Sequence, residues 1–276
     1  MRHALLLALL FGPTLAGASS VETSSSYPLD VSYTEHFAFE FSIEPSPVLA
    51  ALTGRADAVY RYVSDRLGVS YGGRIDVTVE QRAGGPCPVR GGFIRDLGDG
   101  TPGLVIYDDA GPGELLGILA HELGHLPHAS GFGEFPSSAG LDEGLATWAA
   151  GRYWLRPHRT PSLAESVRPY RARGGYLRLE NTFGFREDRG DRGSGACLEH
   201  RTRLYTGWAA TDFLIRSYGV GKFKALLGSA DLLVDPESVD PELGEMTGTL
   251  PDYRATYGLT LRQLEALWLR RLEPGL

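Results

Sequence analysis

Ten residues constrain this chain more than any other stretch: Ile118-Leu119-Ala120-His121-Glu122-Leu123-Gly124-His125-Leu126-Pro127. Two histidines four apart project from one face of a helix, where their imidazoles can share a metal ion, and the glutamate between them is placed to act as a base. With 7 histidines in 276 residues, chance supplies about 0.01 such matches. Leu115, Leu116, Leu119, Leu123 and Leu126 add an apolar stripe, so the pattern predicts a core-facing helix over about 113–126. Pro127 is expected to disrupt it. His128 then reads as a loop or surface histidine.

A catalytic zinc site typically takes three protein ligands and leaves a position for water. The stretch Leu141-Asp142-Glu143-Gly144-Leu145-Ala146-Thr147-Trp148 supplies the missing group. Glu143 follows His125 by eighteen positions, across a loop able to reverse the chain and start a second helix beside the first. Asp142 points about 100° away around that helix and reads as a charge favourable near a helix N-terminus.

The remaining pattern predicts how this pair of helices is housed. Residues 1–18 read as a secretory signal: Arg2 and His3 precede an apolar run from Ala4 to Phe11, and Ala16-Gly17-Ala18 has the form of a cleavage site. Eight apolar residues fall short of the ~20 that span a bilayer, which makes the mature chain secreted or periplasmic with no stable membrane insertion. Residues 19–28 read as a flexible tether and 29–276 as one domain. Phe37, Phe39, Phe41 and Ile43 fall at strand period, as do Ile75, Val77 and Val79, with a third β segment at Leu104–Tyr107. Helices are expected over 47–67, 141–154, 201–218 and 259–272, with shorter ones near 162–172 and 221–228. Residues 183–197 read as a long glycine-containing loop. Strands early and helices late predict an α+β fold with two lobes around one core.

Composition excludes more than it assigns. The formal charge of −7 gives no basic footprint for a phosphate backbone, so no nucleic-acid partner is expected. Two cysteines exclude a disulfide framework and a four-cysteine zinc module. Export would permit a bond between Cys87 and Cys197. His200 carries no assignment, Arg189-Gly190-Asp191 reads as coincidence, and Asp96, Asp99, Asp108 and Asp109 read as solvated turns.

The helix motif and the Asp-Glu-Gly-Leu-Ala-Thr-Trp segment resemble the gluzincin peptidases, zinc enzymes whose two histidines come from HExxH and whose third ligand is a downstream glutamate. Tyr205-Thr206-Gly207-Trp208-Ala209 looks like their next helix, and Tyr257-Gly258-Leu259-Thr260 with Leu264 and Trp268 is similar to their closing one. Metzincins are rejected, because they need glycine at 128 and histidine at 131 where this chain has His128 and Gly131. The resemblance implies a thermolysin-like fold, with a small mixed-sheet lobe, a mostly helical lobe and the active-site cleft between them. It further implies one zinc ion on His121, His125 and Glu143, Glu122 as general base, Tyr205 as an oxyanion donor, and a peptide or protein substrate. Gly91-Gly92-Phe93-Ile94 loosely resembles the edge strand along which these enzymes lay a peptide. An amide in cell-wall peptide is an alternative substrate, and a non-catalytic zinc-binding structural or interaction domain is the competing class.

Overall fold

Alternating apolar side chains build the first lobe. In the computed structural model, which describes residues 30–42, 47–80, 91–96, 102–107, 112–129, 139–172, 178–183, 194–229 and 251–272, five strands form one mixed sheet in the order β1-β2-β3-β5-β4. They are β1 (Asp30–Tyr33), β2 (Phe37–Phe41), β3 (Ile75–Glu80), β4 (Gly92–Asp96) and β5 (Pro102–Tyr107). β2 and β3 are parallel and are joined through helix α1 (Pro47–Leu67), as a parallel pair requires a crossover. β3 and β5 are also parallel, whereas β1 and β4 pair antiparallel at the two edges. Phe37, Phe39, Phe41, Ile75, Val77, Val79, Leu104 and Ile106 are all buried, the period-2 face expected of a sheet packed on one side.

The helices follow: α2 (Pro112–Ala129), α3 (Ala139–Ala150), α4 (Arg152–Leu155), α5 (Leu163–Ala172), α6 (Leu179–Phe183), α7 (Ser194–Tyr218), α8 (Val220–Gly228), α9 (Tyr253–Tyr257) and α10 (Leu261–Leu272). Leu115, Leu116, Leu119, Leu123 and Leu126 of α2 are all buried, so replacing the fully enclosed Leu119 by alanine would cost about 2–5 kcal/mol. Strand and helix residues belong to one continuous core, from Phe39 and Leu104 through Leu119 to Leu214 and Trp268. The fold is α+β, a small mixed sheet with a mostly helical region.

Three expectations need correction. Helix α2 does not stop before Pro127 but continues to Ala129, so His128 lies in its last turn. A proline removes one backbone donor and crowds the carbonyl four residues earlier, and this near the C-terminus the damage stays within the final turn. The single helix expected over 141–154 is two, because Gly151 takes φ of +47°, a backbone that side chains disfavour. The chain turns there, and the short helix α4 leaves at a new angle. Helix α7 starts at Ser194, inside the stretch read as loop.

The signal and tether at 1–28, Ile43, Cys87, Gly131, Arg189-Gly190-Asp191, and the aspartates 99, 108 and 109 lie outside the described residues. No helix among the described residues is long and apolar enough to cross a membrane.

Candidate metal centre

Three side chains on α2 and α3 converge. His121 and His125 stand one turn apart on α2 with their rings nearly perpendicular, at 81°, and their Nε2 atoms 3.1 Å apart. Glu143, in the second turn of α3, places Oε2 at 3.1 Å from Nε2 of His121 and Oε1 at 3.6 Å from Nε2 of His125. Ligand atoms from the three lie within 4.8 Å of one another, and they are the one such group among the described residues. Zinc bonds of about 2.0–2.1 Å in a tetrahedron put donor atoms ~3.3 Å apart. The two Nε2 atoms lie near that spacing from each other, as does Oε2 of Glu143 from His121, and two imidazoles with one carboxylate are a donor set zinc accepts.

The far side of each imidazole is also held, and by the same helix. Nδ1 of His125 is 2.7 Å from Oδ2 of Asp142, and Nδ1 of His121 is 3.1 Å from Oγ1 of Thr147. With a carboxylate as partner, Nδ1 of His125 donates its proton there and Nε2 keeps its lone pair for a metal. Asp142 is thus more than the helix N-terminal charge expected of it. The angular offset that keeps it from being a ligand turns it toward the other nitrogen of a ligand. Neither Asp142 nor Thr147 was singled out for this task from the sequence. The available signal was the rule that ligating histidines give their second N–H to a carboxylate or another acceptor.

Packing fixes the two helices at this separation. A side chain at Gly124, between the two histidines, would meet Cα of Ala146 at 2.5 Å, so only glycine lets α3 come this close to α2. From α4, Trp154 lays its ring on His121 at 4.9 Å and 30°, a placement that depends on the turn at Gly151. His158 also stacks on Trp154, at 4.5 Å.

The charges divide into distinct roles. Burial raises the pKa of Glu122, although His121 and His125 pull the other way. The residue is 4 % exposed and lies outside the converging group. Burial also opposes ionisation of Glu143, but the two imidazoles outweigh it and leave its pKa lowered. For His125, burial works against the proton while Asp142, Glu143 and Glu122 hold it, up to about 10. In the metal-free protein that proton is what a metal ion must displace.

Tyr205 lies in α7, half-buried, with its ring 4.7 Å from Trp208. Trp208 meets Trp154 edge-on at 5.3 Å, so aromatic contacts run from Tyr205 to the ring that covers His121. Tyr153 packs instead on Tyr62 of α1. Cys197 and His200 fall in α7. Gly92 and Phe93 lie on β4, an edge strand as the resemblance implied, and Gly92 donates its N–H to Oε1 of Glu122 at 3.2 Å.

No family model and no curated protein matches the chain. Among solved structures it is similar to an M1 zinc metallopeptidase from Deinococcus radiodurans, at 16% identity and a TM-score of 0.37, over 90% of this chain and 52% of that one. A point mutant of an M1 zinc metallopeptidase from the same organism gives 17% identity and 0.37, over 89% and 51%. The chain spans about half the length of these structural neighbours, which are zinc metallopeptidases.

Proposed function

We propose that this chain is a zinc-dependent metallopeptidase of gluzincin type, thermolysin-like in plan, that acts on peptide or protein substrates outside the cytoplasm. The observation that carries the reading is the convergence of three possible donors, His121, His125 and Glu143, within 4.8 Å of one another beside a buried carboxylate, Glu122, that is not one of them. A purely structural zinc site closes all four positions and has no use for such a carboxylate. His121, His125 and Glu143 would hold one ion. When bound, zinc supplies Lewis acidity toward a carbonyl and lowers the pKa of a water.

The chain's own residues supply the proton handling and the charge stabilisation. Glu122 accepts the proton of the attacking water and passes it to the leaving amine nitrogen, a task suited to a carboxylate whose pKa burial raises. Tyr205 is assigned the hydroxyl that meets the negative charge growing on the carbonyl oxygen. The assignment follows from the resemblance of the α7 segment that carries Tyr205 to the corresponding helix of the gluzincins.

The test is incubation of the zinc-loaded protein with a peptide library, with and without chelator. Cleavage that chelator abolishes and zinc restores is the expected result, and an intact library under both conditions would sink the proposal. Tyr205→Phe should keep zinc and folding, lose about 10²-fold or more in kcat and change KM little. Undiminished turnover in that variant would remove Tyr205 from the mechanism.

A further inference from the structure

We infer that Gly92 is a positioning residue for the base: its backbone N–H fixes one oxygen of Glu122, and its missing side chain leaves the space in which that carboxylate lies. The inference rests on the reading of Glu122 as proton acceptor. Its geometry comes from the sheet. In the antiparallel pair β4–β5, Gly92 faces Ile106, and the N–H of Tyr107 bonds the carbonyl of Gly91 at 3.2 Å. That pattern makes Gly92 and Ile106 a non-hydrogen-bonded pair, so the N–H of Gly92 points away from β5. β4 is an edge, where such a group ordinarily meets water or an added strand. Here it donates to Oε1 of Glu122 at 3.2 Å.

The side-chain row across the sheet gives the second, independent observation. Phe41, Val79, Ile106 and Gly92 are successive partners from β2 to β4, and the first three fill the helix-facing side with large apolar groups. At the fourth position a Cβ would stand 3.0 Å from Cγ and 3.2 Å from Cδ of Glu122 and would run into the carbonyl oxygen of Val105. The row ends in glycine where the carboxylate of α2 reaches the strand. With Oε1 held by Gly92, Oε2 is the oxygen left to take a proton, and its position is set by the sheet as well as by α2. The same bond withdraws the Gly92 N–H from any strand added to that edge.

Amide hydrogen exchange, followed by NMR in the zinc-free protein, tests the bond without any appeal to activity. The Gly92 amide should exchange at least about tenfold more slowly than an unprotected one in the wild type. Glu122→Gln, whose amide oxygen still accepts, should keep that protection, and Glu122→Ala should lose it. In the zinc-loaded protein, Gly92→Ala should retain its zinc and lower kcat about tenfold or more with KM within about twofold, and should have no further effect when added to Glu122→Gln. A Gly92 amide at the solvent rate, protection unchanged in Glu122→Ala, or full kcat in Gly92→Ala would overturn the inference. Should Gly92→Ala not fold, the exchange series decides by itself. Absence of turnover in every protein, wild type included, would refute the peptidase reading while leaving the exchange result standing.

Discussion

Among the described residues, one helix carboxylate reaches to a turn of the sheet lobe and another to a strand, and they are treated in opposite ways. Asp57 on α1 accepts from the hydroxyl of Thr34 at 2.9 Å, the N–H of His36 at 3.0 Å and the N–H of Glu35 at 3.2 Å, which secures the turn between β1 and β2. Burial acts to raise its pKa, but these donors outweigh burial and leave it lowered. Glu122 on α2 is far more enclosed, and among the described residues it accepts one hydrogen bond, from Gly92. Its pKa is raised. The first carboxylate is satisfied as an anion and serves the fold. The second is left short of donors, beside two imidazoles, where a readily exchanged proton is useful.

The largest expected effect comes from breaking the second case. Glu122→Gln keeps volume and the bond to Gly92 but removes the base, so turnover should fall by about 10²–10⁴-fold with zinc content unchanged. Because burial disfavours the charged form, thermal unfolding of the zinc-free variant should occur at or above the wild-type temperature, a trade of activity for stability. Peptide cleavage, metal analysis and calorimetry on one preparation check all three parts. A variant that cleaves at the wild-type rate breaks the contrast between the two carboxylates.

The ligand set sharpens the comparison with a third carboxylate, Asp142, which faces Nδ1 of His125 at 2.7 Å. Glu143→Ala, His121→Ala and His125→Ala should abolish tight zinc binding. Asp142→Ala should weaken zinc affinity by about 10–100-fold, since His125 loses the acceptor that fixes its tautomer. Thr147→Val should cost less, because a hydroxyl is a weaker orienting partner than a carboxylate. Competition titration against a coloured chelator ranks the five variants. Equal effects for Asp142→Ala and Thr147→Val would show that helix packing alone orients the imidazoles.

What could be read in the sequence follows from which interactions are periodic. The stripe on α1 and the leucines on α2 set those helices to within a few residues, and the alternation of Phe37, Phe39 and Phe41 gave β2. The HExxH spacing and Glu143 marked the residues that the structure brings together. Asp142 does lie in the first turn of α3 as expected, but its contact with His125 was not legible, because it depends on how α3 is rotated against α2 across the interface of Gly124 and Ala146. Trp154 went unnoticed for a related reason: it reaches His121 only after Gly151 turns the chain, and a helix drawn through 141–154 carries no such turn. Gly92 lies beyond what any local pattern could assign, since its role needs the register of β4 on β5 and the approach of α2 together.

The smallest expected effect belongs to Asp57, and its pH dependence separates it from Glu122. A carboxylate whose pKa is lowered in the folded state stabilises the fold above its unfolded value of about 3.9, and that contribution is lost as pH falls through the folded pKa. Asp57→Asn puts an amide N–H₂ where one carboxylate oxygen accepts, and removes the charge that strengthens the other bonds. With Asp57 part-exposed, the cost at pH 7 should be about 1 kcal/mol. The wild-type and Asp57→Asn stabilities, measured by urea unfolding, should therefore differ at pH 6–7 and converge below about pH 4, while zinc content and kcat stay as in the wild type. For Glu122→Gln the sign runs the other way, because a raised folded pKa means the charged form opposes folding. Its stability advantage should be present at pH 7 and disappear as pH falls below the unfolded value of about 4.3. Two variants whose stability curves both converge on the wild type in acid, one from below and one from above, would establish that the anion is built for the fold at Asp57 and against it at Glu122.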